Sequence, residues 1–494
     1  MNKLFKIDGI QPIWDKNIIN EDKTTAFFMA CKPKKIVGDV LKADMPWEDE
    51  ICYANVVKDV DIYRMYYLTH VVMIEAPECY DENGNKKAQA YILDSYVCYA
   101  ESKDGLNWVK PELGLCDFEG SKNNNIILRS CDLPKPRDMF DNFFVFIDDN
   151  PLCRKGKRYK AMVESNAYGV QCLKGYISDD GINFKLKYDF DIDGKFDTLN
   201  TCLFDKNINK YVAYVRDFHV DPNFKDVSGV RDIRRVESTD WINWSKAERL
   251  DYKGGEEYPL YTNQVMKYYR NENIYVAFPT RYVERQEWTD NYEQLGGKSF
   301  RKERMKLENR FGLVVTDGIF MSSRDGKSWD KYDEAIFTAG IEHEHNWVYG
   351  DGYPLYFMYE TRSDDGIEDE VSMLVRQPAP GWVGIPYDYL TRYAFRKDGF
   401  VRCFAPYSGA KVVTKSFVFN GEKFYINFET SARGYVKIII EDNTGLKAET
   451  CELFGDNTNR LVNFEGIDVS QFSGKEVTLT FEMRDASIYS FNFR

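Results

Sequence analysis

One short phrase recurs along this chain, and few folds can use it. Ser102-Lys103-Asp104-Gly105-Leu106-Asn107-Trp108 returns as Ser178-Asp179-Asp180-Gly181-Ile182-Asn183-Phe184. It returns again as Ser238-Thr239-Asp240-Trp241-Ile242-Asn243-Trp244 and as Ser323-Arg324-Asp325-Gly326-Lys327-Ser328-Trp329. Extended apolar runs such as Tyr96-Val97-Cys98-Tyr99-Ala100 and Ile319-Phe320-Met321 precede these copies, and another extended segment follows. Asp-Gly between two such runs makes a hairpin turn, because glycine reaches positive φ without steric cost. The aromatic residue that closes the phrase would pack the hairpin onto its sheet.

A second phrase lies upstream of each hairpin: an extended run, a polar turn, then a Tyr-rich strand. Residues 140–148 lead to 158–163, residues 196–205 to 210–215, and residues 261–266 to 274–278. An earlier copy covers 52–68, and a degenerate one begins at Trp347. Two hairpins per unit make a four-stranded sheet, and such a sheet repeated about five times is a propeller pattern. The predicted blades span 47–115, 137–190, 195–250, 257–336 and 343–400. Helical periodicity is nearly absent outside the charged stretch 296–310. After residue 400 the repeat gives way to short alternating strands such as Lys423-Phe424-Tyr425-Ile426-Asn427-Phe428, separated by turns such as Asn420-Gly421. This pattern predicts a sandwich. The expected fold is all-β: an N-terminal extension packing on the propeller (1–46), a five-bladed β-propeller (47–400) and a C-terminal β-sandwich (401–494).

Composition narrows the function. A net charge of −13 with no basic run argues against nucleic acid, since a phosphate-binding face needs clustered cations. A neutral small ligand fits better. Aromatic residues reach 15%, which suits sheet packing and also the stacking of rings on apolar sugar faces. The 11 cysteines are scattered without CxxC spacing, so neither a disulfide framework nor a zinc ribbon is expected. The opening Met1-Asn2-Lys3-Leu4-Phe5 lacks the apolar core of a signal peptide, and no apolar run is long enough to span a membrane. The expectation is a reduced, cytoplasmic protein with no membrane partner and no cofactor. His343-Glu344-His345 could put two imidazoles on one strand face, but with four histidines in the whole chain no metal site is predicted. Phosphate-loop, dinucleotide and Gly-x-Ser-x-Gly motifs are absent.

Antiparallel order collects the start of each blade's innermost strand and the end of its second strand on one face. The Asp-Gly hairpins fall on the opposite face and are structural. The first face gathers Asp141, Asp197 and Glu257 as candidate catalytic carboxylates from successive blades. Glu164, Arg216, Asp217, Arg281 and Glu360 join them as candidate substrate-binding residues. Asp148 and Asp205, at the far ends of innermost strands, read as turn residues. Two insertions thicken the same face, one from His219 to Val230 and one from Tyr282 to Arg310 that carries Trp288. Cleavage of a glycoside needs one carboxylic acid to protonate the leaving oxygen and one carboxylate as nucleophile or base. The expected partner is therefore a carbohydrate. A non-catalytic carbohydrate-binding propeller, a protein scaffold and a glycoside phosphorylase using Arg216, Arg231 and Arg281 are the alternatives.

These features resemble the five-bladed propeller glycosidases of families 32 and 43. The likeness rests on blade layout, three successive axial carboxylates and a trailing sandwich. Arg216-Asp217 is similar to the Arg-Asp pair of family 32, and Glu257-Tyr258-Pro259 to its Glu-Cys-Pro. The resemblance implies Asp141 as nucleophile or base, Asp197 as transition-state stabiliser and Glu257 as general acid. Phrases such as Gly229-Val230-Arg231-Asp232-Ile233-Arg234 and Phe278-Pro279-Thr280-Arg281-Tyr282 are similar to a group of bacterial family-32-like hydrolases that brings no firm activity. The chain lacks the Trp-Met-Asn-Asp-Pro-Asn-Gly opening of the fructosidases, so the resemblance assigns no sugar.

Overall fold

The computed structural model describes residues 4–73, 79–80, 86–87, 91–133, 140–167, 170–221, 229–307, 309–377 and 388–494. Five antiparallel sheets follow one another as the blades of a propeller. The first comprises Cys52–Asp59, Ile62–Met73 and Tyr91–Ser102, with both Trp108–Val109 and Ile126–Arg129 on its outer side, so it runs beyond the expected limit at 115. The second is Phe140–Ile147, Tyr159–Ala167, Val170–Ser178 and Lys185–Phe190. The third is Thr201–Asp205, Lys210–His219, Val230–Ser238 and Glu248–Arg249. In the fourth, Asn271–Ala277 and Thr280–Glu284 together form the second strand, between Met266–Tyr268 and Val314–Ser323, with Asp330–Phe337 outermost.

Blades are covered on both faces by their neighbours, so their inner strands are near-continuous apolar runs rather than alternating ones. Phe143-Phe144-Val145-Phe146 and Val212-Ala213-Tyr214-Val215 are buried at every position. The sandwich alternates instead, as in Tyr435 to Ile440, where every second residue faces the core.

The repeated Ser-x-Asp turns all have the same internal wiring. In the first, Ser102 and Asp104 side chains lie 2.9 Å apart, and Asp104 Oδ1 accepts from the amides of Leu106 and Asn107 at 2.8 Å each. Gly105 sits at φ +73°, and the Tyr359 hydroxyl of the last blade donates to its carbonyl at 2.8 Å. Tyr66 binds the Gly181 carbonyl at 2.8 Å and Tyr214 that of Gly326 at 3.0 Å, so a tyrosine of one blade grips the turn of the next. Where the third copy replaces glycine by Trp241, the backbone still adopts φ +61°. Its indole packs edge-on against Phe146 and Phe190. Asp148 and Asp205, on this same face, accept from Tyr211 (2.9 Å) and Tyr275 of the following blades.

The N-terminal segment, expected to pack on the propeller, is divided between both parts of the molecule. Phe5–Ile7 pairs in parallel with Phe417–Phe419 of the sandwich, Gln11–Pro12 with Glu476–Phe493, and Phe27–Ala30 with Val401–Ala405. Lys34–Lys35 and Leu41–Lys42 then add the outer edge of the fifth blade, on Tyr389–Phe395. Trp14, fully buried, lies where propeller and sandwich meet, edge-on to Tyr268 and Phe320 at 5.2 and 5.1 Å. Its indole N–H donates to the Asp398 carbonyl at 3.0 Å. The buried Asp398 carboxylate accepts from Tyr268, from Arg270 (2.5 Å) and from Ser490 (2.5 Å), linking the fourth blade to the sandwich.

Within the charged stretch, Lys298–Leu307 is helical, one of three short helices with Asp290–Gln294 and Arg310–Leu313 inserted in the fourth blade. Arg301 is buried and donates to the carbonyls of Gly312 (3.3 Å), Asn346 (3.4 Å) and Trp347, which docks the insertion on the segment leading into the fifth blade.

Candidate active site

Three carboxyl groups meet where the second and third blades begin. Asp141 opens the innermost strand Phe140–Ile147, and Glu164 lies opposite it near the end of Tyr159–Ala167, where Asn142 and Glu164 are paired in register. Asp197 precedes the innermost strand of the third blade. Glu164 is fully buried, and its Oε2 accepts from Asn142 Nδ2 at 3.3 Å. Its Oε1 has no donor among the described residues. Burial, followed by the charge of Asp197, pushes Glu164 up to about 8, although Asp141 and Arg216 pull it down. Burial and the charges of Asp197 and Glu164 likewise hold Asp141 well above the usual carboxylate range. The crowded pair Asp141–Glu164 therefore keeps a proton at neutral pH. Asp197 is the more open group, its side chain 44% exposed, with Arg216 Nη2 at 3.4 Å from Oδ2 and the Tyr261 hydroxyl at 3.4 Å from Oδ1. The Arg216 Nε–H is anchored on the Lys195 carbonyl at 2.8 Å.

Behind Asp141 runs a chain of charges from the first and fifth blades. Asp388 Oδ2 accepts from Arg376 Nε (2.8 Å), Arg376 Nη2 donates to Glu50 Oε2 (2.6 Å), and Glu50 Oε1 faces His70 Nδ1 (2.5 Å). His70 Nε2 then lies 4.0 Å from Asp141 Oδ1. Burial opposes charge on both Glu50 and His70. For Glu50 it is outweighed by Arg376 and His70, which bring the carboxyl down to about 2. For His70 it is outweighed by the Glu50 hydrogen bond and charge, with help from Asp141, and the imidazole lies above its ordinary value. Glu50, Cys52 and His70 present ligand atoms within 4.8 Å of one another, a spacing that could hold a metal ion. The donor set fits one poorly. Both Glu50 oxygens are engaged, a guanidinium stands on one of them, and burial holds the Cys52 thiol well above its ordinary value.

Tyrosines wall the cleft beside Asp197. The Tyr53 and Tyr261 hydroxyls are 2.7 Å apart, and the Tyr261 ring stacks on Tyr353 (5.8 Å, 17°) and Tyr282 (5.8 Å, 29°). Tyr349 meets Tyr261 edge-on at 6.0 Å and stacks on Phe311 of the helical insertion. This aromatic group, together with Glu50 and His70, did not emerge from sequence reasoning as site material. Tyr261 and Tyr353 sit inside the repeated phrases, but nothing marks them from the many other tyrosines.

The remaining sequence-predicted residues lie elsewhere. Glu257 is exposed, and its carboxylate faces Arg249, on the outermost strand of the third blade, and His219 Nε2 at 3.1 Å. Among the described residues it contacts neither Asp141 nor Asp197. Asp217 follows Arg216 along one strand and so points the other way, pairing with Arg234 at 2.8 Å. Arg281 forms a two-pronged pair with Asp317 (2.6 and 2.7 Å). Trp288 belongs to the small core of the helical insertion, stacked on Tyr292 at 5.2 Å, with its N–H on Glu293. Glu360 is on the opposite face. Tyr353–Pro354 and Tyr359–Arg362 both pair with Asp369–Gln377 and so form an interrupted innermost strand, not a second one. Glu360 thus sits near the strand's far end, bound by Tyr269 and Lys397 at 2.9 Å each. His343 and His345 are in a loop with rings 6.3 Å apart. In the first insertion, residues 222–228 lie outside the described residues.

No protein-family profile and no curated protein matches the chain. Solved structures of similar fold include an N-acetylgalactosamine deacetylase from F. plautii, at 12% identity over 76% of this chain and 95% of that one, TM-score 0.42. A glycoside hydrolase family 43 arabinoxylan arabinofuranohydrolase from Bacillus subtilis is 11% identical over 96% and 99%, TM-score 0.38. A fructofuranosidase from Schwanniomyces occidentalis is 11% identical over 93% and 100%, TM-score 0.38. At such distances the likeness assigns no chemistry, which rests on the site itself.

Proposed function

We propose that the protein is a glycoside hydrolase acting on a small glycoside or oligosaccharide. One observation carries the reading: a crowded carboxyl pair that retains a proton, the buried Glu164 with the half-buried Asp141, beside a more open carboxyl group, Asp197, held by Arg216. A carboxyl group that holds a proton, next to a second, more open one, is what glycoside cleavage requires. The proton of the pair passes to the glycosidic oxygen as the bond to the anomeric carbon breaks. Asp197 either attacks that carbon or takes a proton from the attacking water. The half-buried Tyr53 and Tyr349 give the sugar an apolar edge to lie against, and the buried Tyr261, Tyr282 and Tyr353 behind them exclude solvent, which strengthens every charge interaction in the cleft. This reading moves the acid role from Glu257, whose carboxylate is occupied by Arg249 and His219, to the Asp141–Glu164 pair.

The test is turnover of aryl glycosides and oligosaccharides, furanosides included, by the protein and its Asp197→Asn variant, with and without chelator. Turnover that survives chelation and collapses in the variant supports the proposal. Sugar binding without turnover would make the propeller a carbohydrate-binding module, and undiminished turnover in Asp197→Asn would overturn the assignment of Asp197.

A further inference from the structure

His70 is 5% exposed, and its Nε2 has no hydrogen-bond partner among the described residues. A buried polar atom without a partner is uncommon, because its lost hydration is not repaid. The other ring nitrogen is fixed by Glu50, which is itself clamped by Arg376 and, behind it, Asp388. The ring is therefore oriented from behind, and Nε2 is aimed at Asp141 Oδ1 across 4.0 Å. That separation is too long for a hydrogen bond. It suits one oxygen placed between the two groups, at hydrogen-bond distance from each. Glu50 accepts the Nδ1 proton and so fixes the ring, Nε2 faces such an oxygen from one side, and the Asp141 carboxyl, which can accept or donate, faces it from the other. A hydroxyl can satisfy both at once, accepting from one side and donating to the other.

We infer that His70 is a substrate-binding residue, its Nε2 and the Asp141 carboxyl together gripping one hydroxyl of the bound sugar. The inference rests on the carbohydrate reading above and adds to it a specificity determinant. Glu50, Arg376 and Asp388 are positioning residues that hold the ring, and Cys52 lies beside them as a bystander. A sugar lacking the gripped hydroxyl would leave the buried His70 Nε2 unpaired, the situation in which sites discriminate most strongly.

The test uses the full chain, a panel of free pentoses and hexoses with their monodeoxy derivatives, and two variants. Asn at position 70 can reach Glu50 but not the cleft, whereas Gln presents an amide near the Nε2 position. With four histidines in the chain, the His70 side-chain NMR signals can be assigned. The expected result is one sugar that shifts the His70 Nε2 signal, with one deoxy analogue binding about tenfold or more weakly. That discrimination disappears in His70→Asn and returns in part in His70→Gln, with all proteins folded by their melting curves. A sugar that binds with the Nε2 signal unmoved and equal affinity in His70→Asn overturns the role of His70 and leaves the carbohydrate reading standing. Absence of binding across the panel removes both.

Discussion

The two faces of the propeller are both lined with aspartate, yet they treat it in opposite ways. On the turn face, burial works against the Asp104 carboxylate but is outweighed by the backbone and side-chain hydrogen bonds of Asn107 and the amide of Leu106, and the group falls to about 2. Asp240 is brought down to about 2 by the equivalent donors of Asn243 and Ile242. On the site face, burial dominates and the nearest groups are other carboxylates, so Asp141 and Glu164 are driven upward. Residue type is shared; what differs is whether the surrounding backbone offers N–H groups or further negative charge. Several donors make a carboxylate structural, whereas crowding by like charge with the one long bond from Asn142 to Glu164 makes it a proton carrier.

Substitutions should break this contrast on one face at a time. Asp197→Asn is expected to lower kcat by about a thousandfold or more while Asp180→Asn leaves it within about twofold, measured on the same aryl glycoside. Comparable losses in both variants would dissolve the distinction. The pH profile comes next. Turnover should fall as pH rises through about 8, where Glu164 gives up its proton. The same shift has a stability counterpart. A carboxyl raised from its ordinary 4.5 to about 8 supports the fold fully below 4.5 and loses that support as pH climbs through 8. Glu164→Gln should therefore flatten the decline in melting temperature between pH 4.5 and about 8 even as it abolishes turnover.

On the turn face the effects are on folding alone. A Cβ at Gly326 would stand 2.3 Å from the Tyr214 hydroxyl, with φ at +69°. Gly326→Ala should cost about 2 to 4 kcal/mol in denaturant unfolding, with kcat unchanged in the folded fraction. Asp104→Asn gives the smallest effect, about 1 kcal/mol or less, visible as a lower melting temperature above pH 4 that closes as acid protonates the native aspartate.

Legibility in the sequence followed the same division. The turns were readable because Ser-x-Asp-Gly geometry is local and is repeated, so each copy corroborated the others. Asp141 and Asp197 were singled out by their place near the start of innermost strands. Glu164 followed from strand order, and so did Arg216. Glu360 was misplaced because the innermost strand of the fifth blade is interrupted, which shifts the strand count by one. Asp217 and Arg281 carried the right residue types near the right strand ends, but their side chains are held by Arg234 and Asp317. Glu50, His70 and Arg376 left no trace because they come together only when the first and fifth blades close on each other. No spacing along a chain encodes a contact between residues 50 and 376.

The outer edge of the fifth blade is supplied by Lys34–Lys35 and Leu41–Lys42, whose partners lie near residue 393. This splice sets the order in which the molecule can assemble. A ribosome releases residues 34–42 hundreds of positions before the strand they must join, so they emerge as an unsatisfied edge. Such a delay favours slow ring closure and exposes the nascent chain to pairing with the wrong neighbour. The same splice makes ring closure and anchoring of the sandwich one event, since the segment that seals the last blade has already passed through the second domain on its way. An N-terminal deletion through residue 42 would then act at a distance in sequence, stripping the outer edge from a blade whose other strands are untouched.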